Sequence, residues 1–380
     1  MPEPTSPPLG VRRLTLTNFR SYTACAIDFD GRPVALLGPN GAGKTNILEA
    51  ISLFAPGRGL RSAAATDLPR EGGDGGWSVA ATLETELGPR ALGVGLDPAR
   101  GERRRLRVDG ETVGRSSALA DLLRISWLTP AMDRLFVEAA GDRRRFLDRL
   151  TLAHEPAHGA AASTYERAMR SRQKLLNEGG ADAAWLAALE RQMAETGVAL
   201  AAARRDFAQR LQAEIDQQPE GPVPHADIAI EDEWGAALGT AGGAAQVEDA
   251  LAEALAEMRP RDTAAKRALR GPHRADFTAR HRLKNAPARL CSTGEQKALL
   301  VGIMLAHVRL LQKTLSRTVA VVLLDEVAAH LDADRRTALF DEICGLGAQA
   351  FMTGVEFSLF QELEGRAQVL RVADGGVSAA

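Results

Sequence analysis

The sequence lacks most of the features that would place it outside the ordinary globular class. It carries three cysteines, Cys25, Cys291 and Cys344, an odd number with no paired spacing. That excludes a disulfide framework or a zinc site and makes a reducing cytoplasm the expected setting. No apolar run approaches the length of a bilayer span, so no membrane association is expected. MPEPTSPPLG at the start has no charged segment followed by an apolar one, and reads as a short flexible tail rather than a signal peptide. The net charge of −2 excludes nucleic-acid binding by bulk charge and leaves only local basic patches. Aromatic residues make up 4% of the chain, so platforms for stacking unpaired bases are scarce.

The composition that remains, 45% hydrophobic and 25% charged, is that of a soluble globular protein, and 380 residues suffice for two or three domains. The first part is strand-rich: RRLTLTNF, CAIDF and PVALL precede a helical TNILEAISLF. SVAATLE, ALGVGL and RLRVDG then resemble a meander, and ISWLTP is a further strand closed by Pro130. From Gly141 to about Met258 the chain turns rich in Ala, Arg, Leu and Glu with helical periodicity, broken by a strand-like HADIAI at 225–230. Beyond Arg270 the α/β character returns, with a helix from Ser292, the strand TVAVVLLDE and the strand AQAFMTG. One α/β domain, 1–140 and 266–380, is thus expected to be split by a mainly helical insert over 141–265.

GPNGAGKT (Gly38, Pro39, Asn40, Gly41, Ala42, Gly43, Lys44, Thr45) matches G-x-x-x-x-G-K-[ST] between a strand and a helix, the context a phosphate loop requires. The glycines let backbone amides converge on phosphate oxygens; Lys44 reaches the terminal phosphates of ATP and the Thr45 hydroxyl takes Mg²⁺. The apolar strand VVLLDE ends in two carboxylates: Asp325 is placed to support the metal and Glu326 to act as general base toward water. In CSTGEQKALL, Ser292 followed by Glu295 spells a capping box. HEPAH (154–158) spells the zinc-protease pattern, but Pro156 would interrupt the helix that pattern needs, so a helix-linking turn is expected. The arginine clusters Arg143, Arg144, Arg145 and Arg204, Arg205 are either solvated faces or phosphate contacts for DNA without sequence readout, with a structural role a third reading for 143–145.

The order phosphate loop, S-T-G-E-Q, strand with D-E and A-H-L-D resembles the ATP-binding cassette ATPases, and T-N-F-R-S-Y (17–22) with the helical insert points to their SMC-like branch. GKTNILEAI, RRRFLDRL, RGPHRADF and STGEQKALL together are similar to the bacterial RecF family. The resemblance implies an ABC-type head with an inserted helical lid or arm, slow ATP hydrolysis with Mg²⁺, and an ATP-dependent head-to-tail homodimer. It further implies binding of duplex DNA and single-/double-strand junctions, and work with RecR, with RecO and RecA indirectly. In such a dimer Ser292, Gly294 and Gln296 of one chain face the nucleotide of the other. Arg20, Asp332 and Thr353 are further candidates, Thr353 at the position where transporter ATPases carry a phosphate-sensing histidine. One departure stands out: there is no glutamine before Gln173, so the superfamily's metal-contacting glutamine after ISWLTP is missing, with Asp133 the candidate in its place. The alternatives, a transporter motor subunit, another SMC-like ATPase or a phosphotransferase, fit the whole set of motifs less well.

Overall fold

The computed structural model describes residues 9–379 except 102, 115–118, 180–181, 241, 315–317, 330 and 374. The tail expected at the N-terminus and His330 of A-H-L-D therefore lie, the tail in large part, outside the described residues. The chain divides into two compact units: one comprises the residues up to Asp133 with Glu220–Val223 and Leu300–Ala380, the other Arg134–Pro219 and Pro224–Leu299.

The first unit contains two sheets. β1 (Gly10–Phe19), β2 (Tyr22–Asp28), β4 (Trp77–Thr85), β5 (Gly88–Leu96), β6 (Arg105–Val108) and β7 (Glu111–Val113) form an antiparallel sheet in the order β2-β1-β4-β5-β6-β7. Burial alternates along β4, as expected of a sheet with one face on the core and one in water. The second sheet runs β15-β14-β3-β13-β12-β8, built from β3 (Val34–Leu37), β8 (Leu123–Leu128), β12 (Val319–Leu324), β13 (Gln349–Gly354), β14 (Gln368–Ala373) and β15 (Gly376–Ala379). Every residue of β3, β8, β12 and β13 is buried, which explains why β3 and β12 read as unbroken apolar runs and why β8 and β13 do not alternate. All but β15 are parallel to their neighbours. The carboxyl ends of β3, β12 and β13 therefore share one edge, where open parallel sheets hold their ligands.

α1 (Lys44–Ser52) follows β3 and contributes Ile47, Leu48 and Ile51 to a core shared with Leu14 and Leu16 of β1 and Leu323 and Phe351 of the parallel sheet. Each such side chain contributes about 1.5–3 kcal/mol on burial. At the start of β13, the Gln349 amide clips the sheets together: Oε1 accepts from Val11 N at 2.7 Å and Nε2 donates to Val11 O at 3.1 Å.

The second unit is mainly helical. α2 (Ala140–His154), α3 (Ala157–Glu178) and α4 (Ala183–Asp216) are followed by β9 (Ala226–Glu231), α5 (Glu233–Ala237), α6 (Ala244–Glu257) and α7 (Arg259–Ala265). HEPAH is the linking turn expected: α2 stops at His154 and Pro156 caps α3. Tyr165 of α3, Met193 and Val198 of α4, and Val247, Leu251 and Leu255 of α6 form the core. Through it runs a buried ionic hub, in which Arg172 donates to Glu190 at 2.9 Å, to Asp262 at 2.7 Å and to Leu255 O at 2.6 Å.

One domain boundary expected from the sequence needs correction. Residues 266–299 pack with the insert, not with the α/β unit. The reason is pairing: β10 (Asp276–His281) lies antiparallel between β9 and β11 (Ala286–Pro287), and Arg143 of α2 holds Asp276 at 2.6 Å. α8 (Thr293–Thr314) begins in the second unit, and the chain returns to the first at Leu300.

Candidate nucleotide site

The phosphate loop, Gly38–Thr45, joins β3 to α1. Gly43 caps the helix at φ +104° with no side-chain hydrogen bond, so the first amides of α1 stay available to an anion. A Cβ at Gly43 would stand 2.7 Å from the Tyr22 hydroxyl, which itself donates to Gly43 O at 3.1 Å. Only glycine satisfies both the backbone and this close approach. The Lys44 ammonium donates to Gly38 O at 2.6 Å and Pro39 O at 2.9 Å, folded over the loop. Burial lowers its pKa, opposed by the charges of Glu326 and Asp325. Pro39, Asn40 and Gly41 are exposed at the rim and Ala42 is half-buried.

The register that sets Thr353 of β13 beside Leu36 of β3, and Met352 beside Leu324 of β12, brings the remaining chemistry to the same edge. The Asp325 carboxylate accepts from Thr45 Oγ1 at 3.0 Å and from Thr353 Oγ1 at 2.7 Å. Thr353 Oγ1 in turn accepts from the backbone N–H of Glu326 at 2.9 Å. Glu326 sits at φ +51°, a left-handed conformation unusual for a residue with a side chain, and Thr353 is its hydrogen-bonded anchor. An adjacent hydroxyl and carboxylate are hard oxygen donors of the kind Mg²⁺ takes, so Thr45 and Asp325 fit a magnesium ion. The structure thus brings together Lys44, Thr45, Asp325, Glu326 and Thr353. Thr353 is fully buried, with its hydroxyl aimed at the two carboxylate-bearing residues.

Arg20 has a framework role that sequence reading missed. Its guanidinium grips the buried carboxylate of Glu49 in α1 at 2.9 and 2.7 Å and donates to Asp67 O at 2.8 Å. Arg61 joins the same carboxylate at 2.9 Å and Asn46 Oδ1 at 2.8 Å, and Asn46 donates to Ser21 at 2.9 Å. The signal was present in the pairing of N-F-R-S-Y with G-K-T-N-I-L-E: one motif fastens the helix the other starts. Asp133 ends a short turn, Pro130–Met132, after β8.

Ser292, Gly294 and Gln296 belong to the second unit. The capping box is formed: Ser292 N donates to Glu295 Oε2 at 3.0 Å, and Glu295 N to Ser292 Oγ at 3.4 Å. Lys284 also pairs with Glu295, and these contacts hold its pKa down at about 2. Gln296 Nε2 donates to Cys291 O at 2.9 Å, tying down the residue before the cap. Ser292 itself is exposed. Asp332 caps α9 (Ala333–Gly345), accepting from Arg335 N at 2.9 Å.

The arginines considered for DNA separate into two groups. Arg204 is withdrawn from that set: it is buried, bidentate to Asp148 at 2.7 and 2.9 Å, and donates to Pro272 O at 2.7 Å. Arg143 is likewise committed to Asp276, at 2.8 and 2.6 Å. Arg144 donates to Ala275 O at 2.6 Å, Arg205 approaches Gly235 O at 3.5 Å, and Arg145 is exposed with Asp142 as its neighbour. Sequence alone could not separate these groups, because a buried arginine and a solvated one look the same in a charge run.

A phosphate loop and strand-end carboxylates on a parallel sheet, backed by an antiparallel sheet and interrupted by a helical unit, define a phosphate-loop head of the SMC type. The family model of the RecF/RecN/SMC N-terminal domain matches residues 10–378. The chain is 53% identical to the DNA replication and repair protein RecF of Mesorhizobium japonicum, over 97% of each chain. It is 49% identical to that of a Caulobacter species, over 96% of this chain and 97% of the relative. Among solved structures, the recombination mediator protein RecF-ATPrS in the RecFOR pathway superposes with a TM-score of 0.84 at 20% identity, over 99% of both chains. An SMC head domain of Pyrococcus furiosus reaches 0.55 at 14% identity, over 98% of this chain and 96% of that one. The chain belongs to the RecF family.

Proposed function

We propose that this chain is an ATP-switched DNA clamp of recombinational repair and replication restart. ATP joins two copies head to tail, the dimer holds duplex DNA at gap junctions, and slow hydrolysis releases it. With RecR and RecO it assists the loading of RecA. The observation that carries the reading is the chain of contacts from Thr45 through Asp325 and Thr353 to Glu326, next to Lys44. Lys44 and the loop amides neutralise the phosphates, Thr45 and Asp325 hold Mg²⁺, and Glu326 accepts a proton from the attacking water. Mg²⁺ supplies charge neutralisation of the β- and γ-phosphates. Family resemblance gives Ser292, Gly294 and Gln296 the partner chain's nucleotide. The exposed Ser292 hydroxyl at the head of α8 suits that role, and its cap bond to Glu295 N is a long one at 3.4 Å.

Mixing two inactive variants tests the shared site. Lys44→Ala disables the phosphate loop and leaves Ser292 intact; Ser292→Arg does the reverse. In a mixed dimer one composite site carries both lesions and the other carries neither. Random pairing leaves roughly a quarter of sites whole. The expected result is ATPase regained on mixing, with ATP and duplex DNA present. If neither this mixture nor one with Asp325→Asn in place of Lys44→Ala regains activity, Ser292 serves only its own helix.

A further inference from the structure

The second unit holds a cavity of about 630 Å³ that the nucleotide site does not use. It lies among α2, α3, α4 and the segment after α7 that contains RGPHRADF. Its lining is strongly cationic: Arg144, Arg145, Arg170, Lys266, Arg267 and Arg274, with Arg204 beneath them, stand against two carboxylates among the described lining residues, Asp148 and Glu166, while Arg145 pairs with Asp142 beside the cavity. Both carboxylates are engaged, Asp148 by Arg204 and His158, and Glu166 by Arg170 at 3.6 Å. Lys266, Arg267 and Arg274 are exposed and have no ion-pair partner among the described residues. Arg144 is pressed among like charges: burial lowers its pKa, and Arg204 and Arg274 lower it further.

The walls are rigidly built. His273 Nε2 lies 3.0 Å from Ala268 O, which places the ring proton there, so Nδ1 accepts from the Tyr165 hydroxyl at 2.7 Å. Gly271, at φ +131°, permits this contact, since a Cβ there would stand 2.3 Å from the Tyr165 oxygen. Arg143, Arg144 and Arg204 then fasten Asp276, Ala275 and Pro272 of the same segment. This accounts for the letters of G-P-H-R-A-D: Gly, Pro, His, Ala and Asp hold the wall, while Arg274 is left exposed at the mouth. A preformed cavity with more cations than anions, on a scaffold that cannot collapse to pair them, is poised for a polyanion. Its volume is in the range that takes ligands rather than single ions.

We infer that this cavity is a second phosphate-recognition site, separate from the phosphate loop, which holds phosphate groups of a nucleic-acid strand. Lys266, Arg267 and Arg274 are the contacting cations and Arg144 is the half-buried one. Strand recognition here rests on the DNA-binding reading above; phosphate binding does not.

The test uses the full-length chain with Lys266→Gln, Arg267→Gln and Arg274→Gln combined. These exposed residues make no ion pair, so the fold and ATP binding at the phosphate loop should survive. Fluorescence anisotropy with labelled duplex and gapped DNA, bearing or lacking a 5′-phosphate, is followed against salt. The slope of log affinity on log salt should fall by up to about 2.7, at about 0.9 per lost phosphate contact. Dependence on the 5′-phosphate identifies a strand end as the ligand, and independence identifies the internal backbone. Wild-type affinity and slope in the triple variant would overturn strand binding here. In a Lys44→Ala background, tripolyphosphate should slow amide exchange in 266–274 of the parent and not of the triple variant. Absence of that protection in the parent would overturn the phosphate site itself. Protection in a parent that binds no DNA would instead overturn the clamp reading and leave this site standing.

Discussion

A single hydroxyl ties down both acidic residues at the end of β12. Thr353 Oγ1 donates to Asp325 at 2.7 Å and accepts from the Glu326 N–H at 2.9 Å, and the latter bond steadies a left-handed residue. Thr353→Val keeps the shape and removes both bonds. It should cost about 1–3 kcal/mol, the usual penalty for a buried polar group left unpaired. ATP hydrolysis should fall by roughly 10²-fold, because a small misplacement of a general base is enough for that. The loss should appear in kcat with KM nearly unchanged, and Thr353→Ser should restore most of it. Wild-type turnover in the valine variant would mean the hydroxyl positions nothing. The sequence located Thr353 at the site but suggested a phosphate sensor; its direction depends on the register of β12 against β13, which no local pattern encodes.

At the scale of elements, the start of α8 makes a prediction in pH. The Lys284 and Ser292 contacts hold the Glu295 pKa at about 2, below the ordinary carboxylate value of about 4.3. A depressed carboxylate stabilises the fold fully above its unfolded pKa, and that contribution disappears as pH falls toward the folded one. Glu295→Gln should therefore lower the urea midpoint at pH 6, with the gap to the parent closing between about pH 4.3 and 2. A gap unchanged at pH 2.5 would assign the effect to packing instead. The elements themselves were largely legible, for physical reasons. β3 and β12 are buried on both faces and so are written as unbroken apolar runs, while the phosphate loop carries its own glycine spacing. The assignment of 266–299 was not legible, because β10 takes its partner through the Asp276–Glu231 register and an Arg143 contact, both distant in sequence. Arg204 was misread for a similar reason, since the Asp148 that buries it lies on another helix.

Among the described residues each unit has a hydrophobic core of its own, and each should report its own stability. Arg172→Met leaves the buried Asp262 without its guanidinium partner and takes one of two arginines from Glu190, which keeps Arg259; this should cost about 3–5 kcal/mol. Amide exchange should accelerate across α3, α4 and α6, while β3, β12 and β13 keep their protection. Equal acceleration in both units would show that they unfold as one. The scarcity of aromatics also has a practical consequence. The chain has only two tyrosines, Tyr22 in the first unit and Tyr165 in the second, both buried. The first hydroxyl touches the phosphate loop at Gly43 O and the second touches the cationic cavity at His273. Protein grown on 3-fluorotyrosine would therefore show two fluorine resonances, and Tyr22→Phe would assign both at once. Nucleotide should move one signal and polyphosphate in the cavity the other, so one spectrum reads the occupancy of each site with no label attached to the surface.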